Sequence, residues 1–264
     1  IIKKKLLDHI EPIQFIIVFY SAMFLFAQTT IQYIHIPSLF EFILIIGACI
    51  CYIGANLLGL KALKEMRISV FKPISGLTSI FVLFFAIFFL HESISLIQGL
   101  GIILVILPIT YLAILEYQHK EVSKKSLLYL LLAMIFEAGA IIFDRIILKT
   151  LNTFTYFYFL KLILIIMLVV IMYLFYNCKF NFDFFKKQGL GISILALITM
   201  LGTYAYFYAL SDPFANTGII KTILSTSLIF TTLIGGFYFK EKHILIKVGI
   251  ATISLLGIIL LIIY

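Results

Sequence analysis

Apolar residues run along this chain in blocks of about twenty, separated by short polar turns. Nine such blocks fall at roughly 12–34, 39–60, 68–90, 94–115, 126–148, 153–177, 188–210, 214–239 and 244–264. Each is long enough to cross a hydrocarbon core as a helix, which needs about 20 residues. No period-two alternation argues for a barrel, and helices satisfy their own backbone where water is absent. The pattern predicts an all-α membrane protein with nine transmembrane helices in this chain. The longest connections, 116–125 and 177–187, are too short for a soluble domain. Pro37, Pro73, Pro108 and Pro213 mark turns, span ends or kinks.

Composition agrees with the pattern. The chain is 63% hydrophobic and 12% charged, with mean hydropathy +1.18; a soluble domain carries about 25% charged residues. The net charge of +8 would suggest nucleic acid in a soluble protein. Here the basic residues sit in turns between spans and report topology instead. Of the 20 Lys and Arg, Arg145 and Lys149 mark one set of span ends and Lys161 and Lys221 lie within spans. The other sixteen cluster at the opposite ends, which the positive-inside bias assigns to the cytoplasm, with Tyr264 outside. Cys49, Cys51 and Cys178 lie in or beside apolar runs, with no spacing that suggests disulfides or a metal. No cofactor is expected.

The pattern also repeats. Lys72–Leu112 and Lys221–Leu261 align at a constant offset that sets Lys72 on Lys221 and His91-Glu92 on Lys240-Glu241. The division expected is 1–119 for one repeat and 120–264 for the other. The second repeat has five spans and the first has matches for the last four. Lys4–Phe15 resembles Arg145–Tyr156, and the chain opens Ile1-Ile2, so a first helix upstream of this chain is expected. An odd number of helices per repeat gives two halves of opposite orientation, a 5+5 inverted repeat with its binding site between the halves.

Polar groups within spans are functional candidates by default. Lys72 and Lys221 occupy equivalent helices, each on a stripe of small hydroxyl residues: Ser69, Ser75 and Ser79 around the first, Thr217 and Ser225 around the second. The simpler readings are snorkelling of the lysines and close packing of the stripes. Tyr52 and Asn56 align with Thr199 and Thr203, and Tyr206 lies one turn beyond Thr203. The expected substrate-binding set is Lys72, Lys221, Asn56, Thr203, Tyr206 and Ser225. Glu137 sits at the middle of its span. As a lone carboxylate it could take up a proton near neutral pH and carry the coupling ion; its structural alternative is an ion pair with Lys161 or Lys221. Asp144, near the span end, is expected to pair locally. Asn216, Gln28 and Glu41 are read as structural, and Tyr208 as an interfacial residue.

The ordered set Ala62-Leu63-Lys64, the Glu92 and Glu241 turns followed by Gly99, Gly101 and Gly249, and Phe143-Asp144-Arg145 leading to Lys161 resembles the ten-helix, EamA-type branch of the drug/metabolite transporter superfamily. The resemblance implies a secondary transporter of a small metabolite in the cell membrane, working by alternating access. It also implies cytoplasmic termini, against the charge count. Two narrower likenesses diverge on substrate. Ala133–Gly139 around Glu137 is similar to the first helix of small multidrug resistance proteins, implying proton exchange against organic cations. Lys72 and Lys221 are similar to the phosphate-binding lysines of triose-phosphate translocators, implying an anion. Amino acids, phosphate esters and organic cations are all candidate substrates, and Gly99, Gly101 and Gly249 fit a homodimer and packing within one chain equally well. No Gly-Lys-Ser/Thr phosphate loop is present, so the energy would come from a gradient. A membrane-embedded lipid-modifying enzyme built on His91-Glu92, or a non-transporting receptor, are the rival readings.

Overall fold

The computed structural model describes residues 11–66, 68–118, 123–176, 182–227 and 244–263. These are helical, with no strand among the described residues. In chain order the helices are α1 (Pro12–Ala27, continued by a 3-10 turn over Gln28–Tyr33), α2 (Leu39–Glu65), α3 (Ile68–Gly76), α4 (Thr78–Leu90) and α5 (Leu96–Gln118). There follow α6 (Lys124–Leu148), α7 (Thr153–Phe175), α8 (Phe182–Ser211), α9 (Thr217–Ser225) and α10 (Ile244–Ile263). Among the described residues five segments are long and apolar enough to cross a membrane: Pro12–Tyr33, Leu39–Glu65, Lys124–Leu148, Thr153–Phe175 and Gln188–Ser211. Shorter apolar helices occupy Ile74–Leu90, Leu96–Tyr111 and Thr252–Leu261. The second half of the expected span 214–239 lies outside the described residues.

Local sequence sets the helix starts. Ser38 and Glu41 form a reciprocal capping box on α2, Asn152 caps α7 and Asn216 caps α9. In each case a side-chain oxygen satisfies an amide that the helix cannot. The expected span 68–90 is broken at Leu77, where the amide donates to Ile74 O at 3.0 Å. The same short bond recurs at Thr226, from its amide to Ile223 O at 3.1 Å. Leu77 and Thr226 are equivalent under the alignment that pairs Lys72 with Lys221, so both lysines stand five residues ahead of a helix break.

The most extensive contact in the fold joins α2 to α6, and glycine is the reason. A Cβ on Gly54 would lie 2.8 Å from Phe136 Cγ, and one on Gly47 would lie 2.9 Å from Phe143 Cε1 and Cζ. Two phenyl rings of α6 therefore pack directly against two glycines of α2, with Cys51 and Gly139 facing each other between them. In a bilayer, where apolar burial gives little drive to associate, such close packing is a main source of helix adhesion. Gly101 of α5 and Gly257 of α10 make a second such crossing, each facing the other's carbonyl. Around these seams α1 packs on α7 and α8, and α4 packs on α6 and α9. The main buried cluster is aromatic and aliphatic, with Phe15, Tyr156, Phe157 and Phe207 among its most enclosed members.

Candidate functional site

The polar groups of the interior gather along one face of α6. Glu137 and Asp144 stand seven residues apart, two turns, and so on the same stripe. At Glu137, the carboxylate Oε1 receives Lys221 Nζ of α9 at 2.7 Å. The side chains remain 40% and 17% accessible respectively, so the pair borders open space. Glu137 is thus not a lone carboxylate, and of its two sequence-derived partners the structure selects Lys221.

Lys221 is held in place from the entry of α9. Glu92, in the turn after α4, accepts from Thr217 N at 2.8 Å, Thr217 Oγ1 at 2.6 Å and Gly218 N at 3.4 Å. A carboxylate at a helix N-terminus satisfies orphan amides and complements the helix dipole. The chain reaches that position because His91 takes the left-handed conformation, φ 53°, as the C-cap of α4. Arg145 of α6 grips the same entry from the other side. Its guanidinium donates to the carbonyl of Leu210, to Asp212 O at 2.7 Å, to Pro213 O at 3.2 Å and to Ala215 O at 2.7 Å. One buried arginine thereby ties the α8–α9 turn to α6.

Asp144 corrects the expectation that it pairs locally at a span end. It is fully buried and accepts from Tyr52 Oη of α2 at 2.5 Å and from Tyr156 Oη of α7. Lys161 is also buried, and its ammonium lies over the rings of Tyr20 at 4.4 Å, Phe157 at 5.2 Å and Tyr52 at 5.8 Å. Favourable cation–π contact holds within about 6 Å. Sequence reasoning missed this centre because its key partner, Tyr52, is 92 residues away. The signal available was the presence of Lys161 inside a span.

The remaining candidates divide. Tyr206 of α8 packs near Ala138 and Ile141, between the two carboxylates in sequence and within reach of both charges. Its hydroxyl is buried without a hydrogen-bond partner. Asn56 donates to Tyr52 O, Thr203 to Thr199 O and Ser225 to Lys221 O, all one turn back on their own helices. Lys72 is exposed; no ion pair involves it among the described residues. The structure therefore brings Lys221, Glu137 and Tyr206 to one face and leaves Lys72 apart from their ion pair. A cavity of about 650 Å³ lies elsewhere, at the α6–α7 turn, lined by Lys149, Asn152, Phe154, Tyr204 and Tyr208. Among the described residues no cluster of His, Cys, Asp or Glu could hold a metal.

Residues 1–114 match the EamA-like transporter family. EamA-like proteins are a branch of the drug/metabolite transporter superfamily and are transporters rather than enzymes. A crystal structure of another protein superposes on 98% of this chain and 90% of that one, with a TM-score of 0.75 at 10% identity, and so shares the fold. No curated protein matches the chain. The EamA-like match and the apolar helices together support a multi-pass membrane protein, whose first 114 residues are similar to a family of small-molecule transporters.

Proposed function

We propose that this protein is a secondary transporter of the cell membrane that moves a small zwitterionic metabolite, of the amino-acid kind, by alternating access. The observation that carries the reading is the Glu137–Lys221 pair, 2.7 Å long and accessible at both ends, on α6 and the broken helix α9. Removing one partner of an ion pair in a poorly solvated place strands the other charge, at a cost of about 3–5 kcal/mol where the pair is fully buried; this pair is partly open, so its penalty is smaller. A ligand carrying both signs avoids the penalty. Its carboxylate takes Lys221 and its ammonium takes Glu137, so two ionic contacts replace one and neither protein charge is abandoned. An anion alone would require Glu137 to take up a proton as it lost Lys221, which is the proton-coupled route for a phosphate ester. An organic cation alone would leave the lysine stranded.

The remaining roles follow from position. Tyr206 supplies an aromatic wall and a free hydroxyl, Asn56 and Thr203 orient the ligand, and Ser225 flanks Lys221 one turn on. Lys72, the repeat equivalent of Lys221, would take over the substrate's negative end when the site faces the other way.

The test is a thermal-shift screen of detergent-purified protein against amino acids, phosphate esters and organic cations. A ligand at a hundred times its dissociation constant adds about 2.7 kcal/mol to stability. Stabilisation by zwitterions, lost in both Lys221→Gln and Glu137→Gln, is the expected result. Stabilisation by monovalent cations that survives Lys221→Gln would overturn it.

A further inference from the structure

Three cations could have paired with Asp144, and none does among the described residues. Arg145, its neighbour in sequence, is spent on the carbonyls of Leu210, Asp212, Pro213 and Ala215. Lys161 rests on aromatic rings, and Lys221 is bound to Glu137. What Asp144 receives instead is two neutral phenol hydroxyls, from Tyr52 and Tyr156. A fully buried carboxylate in a membrane protein is expensive, and structural charges there pair with opposite charges or, as Arg145 does, with backbone carbonyls. A carboxylate has neither option among the groups facing Asp144, except a cation that is engaged elsewhere.

The geometry points to Asp144 as a reversible proton-binding centre, distinct from the Glu137–Lys221 pair, that carries a proton through the transport cycle. This inference rests on the transport reading above and supplies its coupling step.

The two phenols suit both protonation states. With Asp144 ionised, each donates to one carboxylate oxygen. With Asp144 protonated, the new O–H can donate to one phenol oxygen while the other phenol continues to donate to the remaining carboxyl oxygen. A hydroxyl that both gives and accepts makes this exchange possible without moving a helix; an arginine partner would forbid it. The step itself is simple. A proton from the aqueous face bonds to one carboxylate oxygen, the site loses one negative charge, and the same proton leaves to the opposite face when the site reopens.

The surroundings offer a route. Tyr206 Oη is buried and without a partner, close enough to feel the charge of both Glu137 and Asp144. It packs with Ala138 and Ile141, residues of α6 that fall between the two acids. Glu137 is accessible, so its end of this line meets the open side. The ionisable groups that interact with Asp144 are Cys49, Cys51 and Tyr52 from α2, Tyr156 and Lys161 from α7, Tyr206 from α8 and Lys221 from α9. The two lysines supply a positive field in which the anion can exist between protonation events.

Infrared difference spectroscopy across a pH titration of the purified full chain tests this directly, because a protonated carboxyl gives a C=O stretch that a carboxylate lacks. The wild type should show a pH-dependent carboxyl band that disappears in Asp144→Asn and persists in Glu137→Gln. A band that survives Asp144→Asn, or no band in the wild type, overturns the proposal. Should Asp144→Asn fail to fold, Tyr52→Phe keeps the acid and removes one hydrogen bond, so the band should move in frequency; an unmoved band overturns it too. No substrate is needed for this titration. A band without any transported ligand would sink the transport reading alone, and transport without a band would sink the proton site alone. With a substrate in hand, Asp144→Asn proteoliposomes should keep counterflow but lose accumulation driven by a pH gradient.

Discussion

Replacing Gly54 by Ala should destabilise the protein, while the same change five residues later should not. Both glycines lie on α2 and face α6, which makes them a controlled pair. At Gly54 the new methyl would sit 2.8 Å from Phe136 Cγ and 3.0 Å from both Cδ atoms. That is the root of the ring, which cannot swing aside as the end of a flexible chain could. Overpacking of this kind costs about 1–3 kcal/mol. Alanine in a helix recovers about 0.5–1 kcal/mol relative to glycine, so the net loss is about 0.5–2 kcal/mol. At Gly59 the nearest atom is Ala133 Cβ at 3.7 Å, an ordinary contact, and only the helix gain of about 0.5–1 kcal/mol remains. Gly47 falls between, since its methyl would meet the far edge of Phe143 at 2.9 Å. The assay is thermal or denaturant unfolding of the detergent-purified variants, followed by the same signal throughout. The expected order of stability is Gly59→Ala, wild type, Gly47→Ala, Gly54→Ala. A Gly54→Ala protein as stable as Gly59→Ala would refute the claim that ring-on-glycine contact holds α2 to α6.

Other expectations are equally direct. Arg145→Lys replaces a forked donor with a point charge and cannot reach all four carbonyls; each charged hydrogen bond lost costs about 1.5–3 kcal/mol, read as a lower melting temperature. Glu92→Ala removes the carboxylate that accepts the first amides of α9 and should cost about 0.5–2 kcal/mol, with faster amide exchange at residues 217 and 218 as the local signature while Asn216 still holds the amide of Ile219. Tyr52→Phe and Tyr156→Phe each remove one donor to a charged acceptor, worth about 1.5–3 kcal/mol. Their double mutant should fall short of additivity, because the two bonds serve one carboxylate. Lys72→Gln should leave ligand-induced stabilisation intact in the conformation described here, whereas Lys221→Gln should abolish it; equal losses would place Lys72 in the same binding step.

The helices were legible because twenty-residue apolar blocks leave a bilayer protein little choice, and each of the nine blocks holds at least one described helix, with block 68–90 split in two and only the start of block 214–239 described. The breaks were less so. Pro73 and Gly76 hinted at the interruption before Thr78, yet the matching interruption at Thr226 has neither residue, and only the repeat alignment could have located it. At the site, Glu137 and Lys221 were each visible as charges inside spans, and their pairing was one of two options that spacing alone could not separate. Asp144 was misjudged for a physical reason. Its depth was read from its place near the end of α6, but burial there is set by α2 and α7 folding over it. No local pattern announces that Tyr52 will arrive from 92 residues away. Likewise the equivalence of Lys72 and Lys221 is a fact of the alignment, while their unlike surroundings in one conformation are a fact of packing.

The ring-on-glycine seam carries a consequence for motion. Gly47–Phe143 and Gly54–Phe136 lie two turns apart, so they act as two pegs that fix how far α2 can slide along α6. A shift of even one residue would drive a phenyl ring into a side chain. The two helices must then travel together as a block, with Tyr52 kept opposite Asp144 throughout. On the division at residue 119 expected from the sequence, α2 and α6 would fall in different repeats, so the rigid bodies of any opening movement would not be those two halves. On the transport reading proposed above, the joint left to give would be the one made by α9, which meets α6 through the Glu137–Lys221 ion pair that a ligand would take apart.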